Sequence, residues 1–250
     1  MKAWEIVSDV LKLLKEKADV GVNLLELDKL AEQRVAELGG ISINKGYQPP
    51  WAKTPFPATI CTNVNDGVAH GIPYDYELQD GDLVSFDLGV KKDGLCGDAA
   101  LTTWVGKLAD RDERLLRYAK RITQTGIAQV QAGATVNDVS SKMYWYAKKM
   151  GFVVNKIWGG HTIGVEMHEN PMIPVMDFYF EPDVPLGQER LKENQMICIE
   201  PLVTYRDIDG RTESDGWTVK TRDERKSAIF ECQVRVMDGG CEILTPYVLE

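Results

Sequence analysis

Residues 83 to 105 read LVSFDLGVKKDGLCGDAALTTWV, two runs of β-branched and aromatic residues on either side of a short KKDG segment. That is the pattern of a β-hairpin. Each run carries an aspartate, Asp87 and Asp98. With KKDG as a four-residue loop, Val90 pairs with Leu95 and Asp87 falls opposite Asp98 on one sheet face. With Asp93-Gly94 as a two-residue turn the register shifts and the two separate. Like charges directly opposed on a hairpin are unfavourable unless a cation lies between them.

The C-terminal strands repeat the anomaly. In IFECQVRVM, residues 229 to 237, Phe230, Cys232, Val234 and Val236 share one face and put Glu231 on the other. In QMICIEP, residues 195 to 201, Ile197 and Ile199 alternate with Cys198 and Glu200, and Pro201 ends the ladder. A single carboxylate on an antiparallel strand ordinarily faces solvent. Asp87, Asp98, Glu200 and Glu231 together, all on central strands, point to a shared cation instead.

The chain holds only three histidines, His70, His161 and His168. Two lie in IWGGHTIGVEMHENP, residues 157 to 171, where Gly159, Gly160 and Gly164 argue against a regular helix or strand around His161 and let the backbone approach a ligand. From a bent loop, His161 and His168 both reach one cleft, although a histidine beside glycines is by itself more often a turn residue. Carboxylates with one imidazole suit Mn²⁺, Fe²⁺, Co²⁺ or Zn²⁺. Four carboxylates carry too much charge for one divalent ion, so two ions sharing ligands are expected.

Around these strands the chain alternates in blocks. Trp4, Val7, Leu11 and Leu14 form a stripe at helical spacing over residues 4 to 17, and Leu24 to Leu38 does the same before Gly39. YQPPWAKTPFPA, residues 47 to 58, is an ordered proline-rich loop leading into strand-like TICTNV. After the charged connection ADRDER come helices over about 113 to 132 and 136 to 150, then the strands FVVNKIW, MICIEPLVTY, DGWTVKT and SAIFECQVRVM. Gly21-Val-Asn-Leu-Leu-Glu-Leu27 matches Gly133-Ala-Thr-Val-Asn-Asp-Val139 at an offset of 112, which also carries Gly39 onto Gly151. Each copy has a glycine, an N-cap candidate (Asn23, Thr135), an acidic residue three on and a terminal glycine; two unrelated, well-capped helices would read alike. A true repeat gives an α+β fold: a pseudo-twofold, strongly bent antiparallel sheet with two helix pairs on one face, as a single catalytic domain over 1–250 in halves of about 1–110 and 111–250.

Composition narrows the partners. With 44% hydrophobic and 27% charged residues the chain is neither a disordered tail nor a fibre. It has no apolar run approaching the ~18 residues of a membrane helix, and charges interrupt its N-terminus where a signal peptide needs an apolar core. A net charge of -9 without basic blocks argues against nucleic acid as the main partner. Five widely spaced cysteines, never as CxxC, fit neither a disulfide framework nor a zinc knuckle and suit a reducing cytoplasm.

In combination, HGIP (70–73), GDLVSFDLGV, GLCGDAALTTWVG, GGHTIGVEMHENP, CIEP, DGWTV and FECQVRVMDGGCEILT resemble, in order and spacing, the type I methionine aminopeptidases of the pita-bread fold, over nearly all of residues 4 to 245. The resemblance implies that Asp87, Asp98, His161, Glu200 and Glu231 bind two divalent ions (Co, Mn, Fe or Zn), with Asp98 and Glu231 bridging. It implies that His70 and His168 contact substrate and that Glu200 moves the proton of the attacking water. The implied substrates are N-termini of nascent polypeptides and peptides, met in the cytoplasm by a monomer in transient contact with ribosomes. The chain departs from the family pattern at Thr162, where a glycine commonly follows the ligand histidine, and at Met167, where an aromatic often walls the methionine pocket. Phe56 or Trp51 stands in for the usual aromatic pair upstream of Cys61, with Trp217 closing the other side.

Three rival readings remain on the sequence, one of them a generic mononuclear metalloprotein, which metal analysis would mark by one ion per chain where two are expected. X-Pro aminopeptidases and dipeptidases of the same fold typically have a second histidine in a longer motif and often a separate N-terminal domain, and neither is found here. A non-catalytic relative acting as a binding module would lose ligands and gain basic insertions, whereas all five matched ligands are kept.

Overall fold

The computed structural model describes residues 1–180 and 184–250. Its helices are α1 (Ala3–Lys17), α2 (Leu24–Glu37), α3 (Asp110–Ile127) and α4 (Val136–Met150). In the first half the strands are β1 (Ile41–Ser42), β2 (Cys61–Val64), β3 (Gly67–Ala69), β4 (Leu83–Lys92) and β5 (Leu95–Trp104). The second half adds β6 (Val153–Val154), β7 (Gly160–Ile163), β8 (Glu169–Ile173), β9 (Met196–Ile199) and β10 (Leu202–Thr204). It closes with β11 (Arg211–Thr212), β12 (Val219–Lys220), β13 (Ala228–Met237) and β14 (Gly240–Ile243).

The main sheet is antiparallel and runs β1-β4-β5-β13-β9-β7-β8, with β2 on β4, β14 and β10 on β13, and β6 on β10. Alternation along its strands separates two faces. Val84, Phe86, Leu88 and Val90 of β4, Ile197 and Ile199 of β9, and Phe230, Cys232, Val234 and Val236 of β13 join the buried stripes of all four helices in one core. The opposite face of β4, β5 and β13 carries Asp87, Asp98 and Glu231. A small sheet, β11-β12-β3, and the loop around Ala52, Phe56 and Ala58 cover that face in separate apolar clusters.

The two halves repeat hydrogen bonds as well as sequence. Gly21 N–H donates to Leu78 O, Leu24 N–H to Tyr76 O and Leu78 N–H to Val22 O. In the second half Gly133 N–H donates to Leu191 O, Val136 N–H to Glu189 O and Leu191 N–H to Ala134 O, the helix-side residues at the offset of 112 and their partners one residue further on. Gly21 and Gly133 share φ values of 84° and 83°, the left-handed region that suits glycine. The Asn23 side chain caps α2 by accepting from Leu25 N–H, and Thr135 with Asp138 forms a full capping box on α4.

Four expectations shift. The hairpin turns at Asp93-Gly94, both with positive φ, so Lys92 pairs with Leu95 and Asp87 lies opposite Ala100 while Asp98 lies opposite Gly89. The aspartates are therefore diagonal neighbours on one face and not directly opposed. Helix α3 begins at Asp110 and ends at Ile127, because the acidic residues of ADRDER occupy its first turn, where the helix dipole favours them. Trp4 is only half-buried: β5 has Gly97 beneath the start of α1, and a Cβ there would lie 2.4 Å from the Trp4 nitrogen, so backbone and not indole meets the sheet. FVVNKIW and DGWTVKT are strands only at Val153–Val154 and Val219–Lys220. The Asn155 carboxamide accepts from Ile157 and Trp158 N–H, and the Asp215 carboxylate from Trp217 and Thr218 N–H; such turns divert the backbone from a ladder. No helix among the described residues is long and apolar enough to cross a membrane.

Candidate active site

Register assembles the centre. Ala100 of β5 pairs with Asp87 on one side and Glu231 on the other, a small residue between two carboxylates, and Asp98 stands two residues along the same strand face. The β13–β9 register pairs Cys232 with Ile199, which brings Glu231 level with Glu200 just past the end of β9. On the next strand, β7, His161 Nε2 lies 3.7 Å from Glu231 Oε1 and 3.9 Å from Asp98 Oδ2. His161 was expected on a loop that its glycines keep irregular; it sits on β7 itself. Gly160 is needed there because a Cβ would lie 2.1 Å from Cys198 O on β9, so the glycine serves strand-to-strand contact.

One cavity of about 280 Å³ is lined by all the candidate ligand and substrate-contact residues: Asp87, Asp98, His161, Glu200 and Glu231 at its base, with His70, His168, Cys61, Phe56, Met167 and Trp217 around them. Trp217 is set edge-on to Phe56 at 5.1 Å and to Trp51 at 5.0 Å, and its indole N–H donates to Thr54 O. Trp51 stands 5.7 Å from His70. His70 has a φ of 53°, uncommon for a residue with a side chain, and the following Gly71 admits no Cβ because Thr62 O would lie 2.0 Å away. The departure at Thr162 is accommodated: its hydroxyl donates to Pro171 O and accepts from the Gln195 amide, inside the sheet.

The electrostatics are those of a site built around positive charge. Burial pushes Asp87 up to about 7. Asp98, Glu200 and Glu231 are raised well above the carboxylate range, first by burial and then by neighbouring carboxylate charge, that of Asp87 on Asp98 and Glu200 and that of Asp98 on Glu231. Burial, then the neighbouring His168, lowers His161 to about 3 and His70 to about 4, which keeps both imidazoles neutral. Asp98 Oδ1 and Glu231 Oε1 are buried without a hydrogen-bond partner, and no lysine or arginine among the described residues pairs with the four carboxylates. Orphaned carboxylate oxygens converging with a neutral imidazole fit divalent metal, and Asp87, Asp98 and Glu231 each place an oxygen within 4.8 Å of the others.

Several residues that line or support the cavity carried no sequence signal of their own. Asn44 is buried, accepts from Gly89 N–H and donates to Asp87 O, holding the strand that bears Asp87. Gln233 is fully buried and accepts from Asp98 N–H through its side-chain oxygen. Trp158, read as a strand residue, meets His70 edge-on at 4.6 Å. Tyr47 reaches His168 across the cavity mouth. Only the excess of aromatic residues in 47–58 hinted at this wall.

The model of metallopeptidase family M24 matches residues 1–243. A methionine aminopeptidase of Clostridium perfringens is 36% identical over 98% of this chain and 93% of its own length, and methionine aminopeptidase 1 of Bacillus subtilis 34% over 98% and 94%. Among solved structures, the methionine aminopeptidase of Rickettsia prowazekii superposes with a TM-score of 0.89 at 31% identity, covering 97% of this chain and 94% of that one. The prolidase of Pyrococcus furiosus, at 21% identity and a TM-score of 0.74, shares the fold over 61% of its length.

Proposed function

The chain belongs to metallopeptidase family M24, and on that premise we propose that it is a methionine aminopeptidase releasing the N-terminal methionine of nascent polypeptides and peptides. The observation that carries the reading is the closure of a carboxylate-histidine centre by an aromatic wall in one small cavity. We assign Asp87, Asp98, His161, Glu200 and Glu231 as ligands of two divalent ions, with Asp98 and Glu231 shared. When bound, such ions supply Lewis-acid polarisation of the scissile carbonyl and activation of water. The physiological choice among Co, Mn, Fe and Zn follows availability.

The remaining chemistry falls to the chain. Glu200, at the free end of β9, accepts the proton of the attacking water and returns it to the leaving amine. His168, at the cavity mouth, donates a hydrogen bond to the carbonyl oxygen as charge develops there. His70, neutral and walled by Trp51, Trp158 and Trp217, contacts the substrate backbone. Phe56, Cys61, Met167 and Trp217 receive the methionine side chain, whose thioether packs well on aromatic edges. A substrate amine held at the carboxylate end of the cavity would confine cleavage to the first residue.

We read the chain as one catalytic domain of two similar halves, monomeric and cytoplasmic, with transient access to ribosomes. Free thiols at Cys61, Cys96, Cys198, Cys232 and Cys241 support a reducing compartment. The deciding assay uses chelated protein resupplied with Mn²⁺, Fe²⁺ or Co²⁺ and offered Met-Ala, Met-Leu and Ala-Pro peptides. Free methionine from Met-Ala is expected, and preference for Ala-Pro would replace this reading with an X-Pro peptidase.

A further inference from the structure

Two imidazoles stand side by side in this cavity, His161 and His168, with ring centroids 4.3 Å apart. Their Nδ1 atoms face different partners. His161 Nδ1 lies 3.1 Å from Thr162 O, and a carbonyl can only accept, so this nitrogen carries the proton and Nε2 keeps its lone pair toward Asp98 and Glu231. His168 Nδ1 lies 2.9 Å from the Tyr47 hydroxyl. A phenol has one proton and is the stronger donor of the pair, so the hydroxyl donates and Nδ1 accepts. The proton of His168 is then on Nε2.

We propose that Tyr47 is a positioning residue that locks His168 in the Nε2–H tautomer, opposite to that of His161, so that adjacent histidines serve as hydrogen-bond donor and lone-pair donor respectively. Tyr47 is well held for this. Its own N–H donates to Asn44 O, its carbonyl accepts from Phe56 N–H, and Gly46 N–H donates to Phe56 O, so the loop closes on itself at the tyrosine. No other hydrogen bond engages its hydroxyl among the described residues. Burial raises the phenol further above neutrality, keeping the proton available. Without a partner at Nδ1, a neutral imidazole populates both tautomers, and the wrong one presents a lone pair where a developing negative oxygen needs a proton.

The proposal rests on the peptidase reading only for what His168 donates to; the tautomer itself can be read without turnover. Protein labelled with ¹⁵N-histidine and loaded with Zn²⁺ gives three imidazoles in long-range proton–nitrogen NMR spectra, and a His168→Gln variant assigns the one that disappears. The expected result is a protonated Nε2 and bare Nδ1 for His168, against a protonated Nδ1 and a zinc-bound Nε2 for His161. In Tyr47→Phe the His168 nitrogens should move toward the average of the two tautomers. On a Met-Ala peptide kcat should fall about twofold, the share of His168 left in the wrong tautomer, with KM and zinc content unchanged. A protonated Nδ1 on His168 in the wild-type protein, an unshifted spectrum in Tyr47→Phe, or full kcat in that variant would each overturn the proposal. An inactive protein showing the expected tautomers would defeat the peptidase reading and leave the tautomer lock standing.

Discussion

Asp98 and His168 differ in what they do although both line the same cavity. Asp98 has a buried oxygen without a partner and lies 3.9 Å from His161 Nε2, so replacing its charge with an amide removes an anionic donor from the middle of the centre. Asp98→Asn should lower metal content for both ions, measured by elemental analysis after dialysis. His168 has its Nδ1 engaged by Tyr47 and is placed outside the ligand set. His168→Ala should keep full metal content and lose about 10²- to 10⁴-fold in kcat/KM, the range for a transition-state proton donor. A metal-depleted His168→Ala protein would show that the division of the histidines into one ligand and two substrate contacts is mistaken.

Two glycines separate turn geometry from strand packing. Gly94 has a φ of 82° and nothing within 4 Å of the position a Cβ would take, so Gly94→Ala costs only the left-handed backbone, about 1 kcal/mol, and leaves metal binding alone. Gly160 has no room at all, with Cys198 O at 2.1 Å from its Cβ position. Gly160→Ala must push β7 from β9 and carry His161 with it. The expected loss is about 1 to 3 kcal/mol in urea unfolding, together with weaker metal affinity by titration. Equal metal affinity in the two variants would mean that the β7–β9 contact does not set the position of His161.

For the molecule as a whole, stability, metal and pH are linked through the carboxylates. The folded Asp87 titrates at about 7 against an ordinary 3.8, so the native state binds that proton more tightly than the unfolded chain does. Its stabilising contribution is complete below pH 3.8 and is lost as pH rises through about 7. Asp98, Glu200 and Glu231 shift in the same direction. Metal replaces those protons, so the gap in Tm between loaded and chelated protein should widen from about pH 5 to about pH 8. At a hundredfold excess over Kd the ion adds about 2.7 kcal/mol, roughly 5 to 10 °C for a chain of this size by calorimetry. A Tm unmoved by chelator at the higher pH would remove the metal centre from the account.

Composition, periodicity and motif order were sufficient for the helices, the two-faced strands and the identity of the ionisable residues, because these depend on local alternation and capping. Phe230, Cys232, Val234 and Val236 had to share a face, which left Glu231 on the other whatever the strand's neighbours. Local pattern is silent on what lies across a gap. The shift of the hairpin by a turn of two residues made Ala100, and not a second aspartate, the partner of Asp87. Asx turns at Asn155 and Asp215 swung Trp158 and Trp217 out of strands and into the cavity wall. Tyr47 meets His168 across 121 residues of chain, and that contact exists only once the proline-rich loop is folded over the sheet. Residue type and spacing name the donors and acceptors; only the packed sheet determines which nitrogen of an imidazole faces which oxygen, because hydrogen-bond direction depends on partners that sequence distance does not encode.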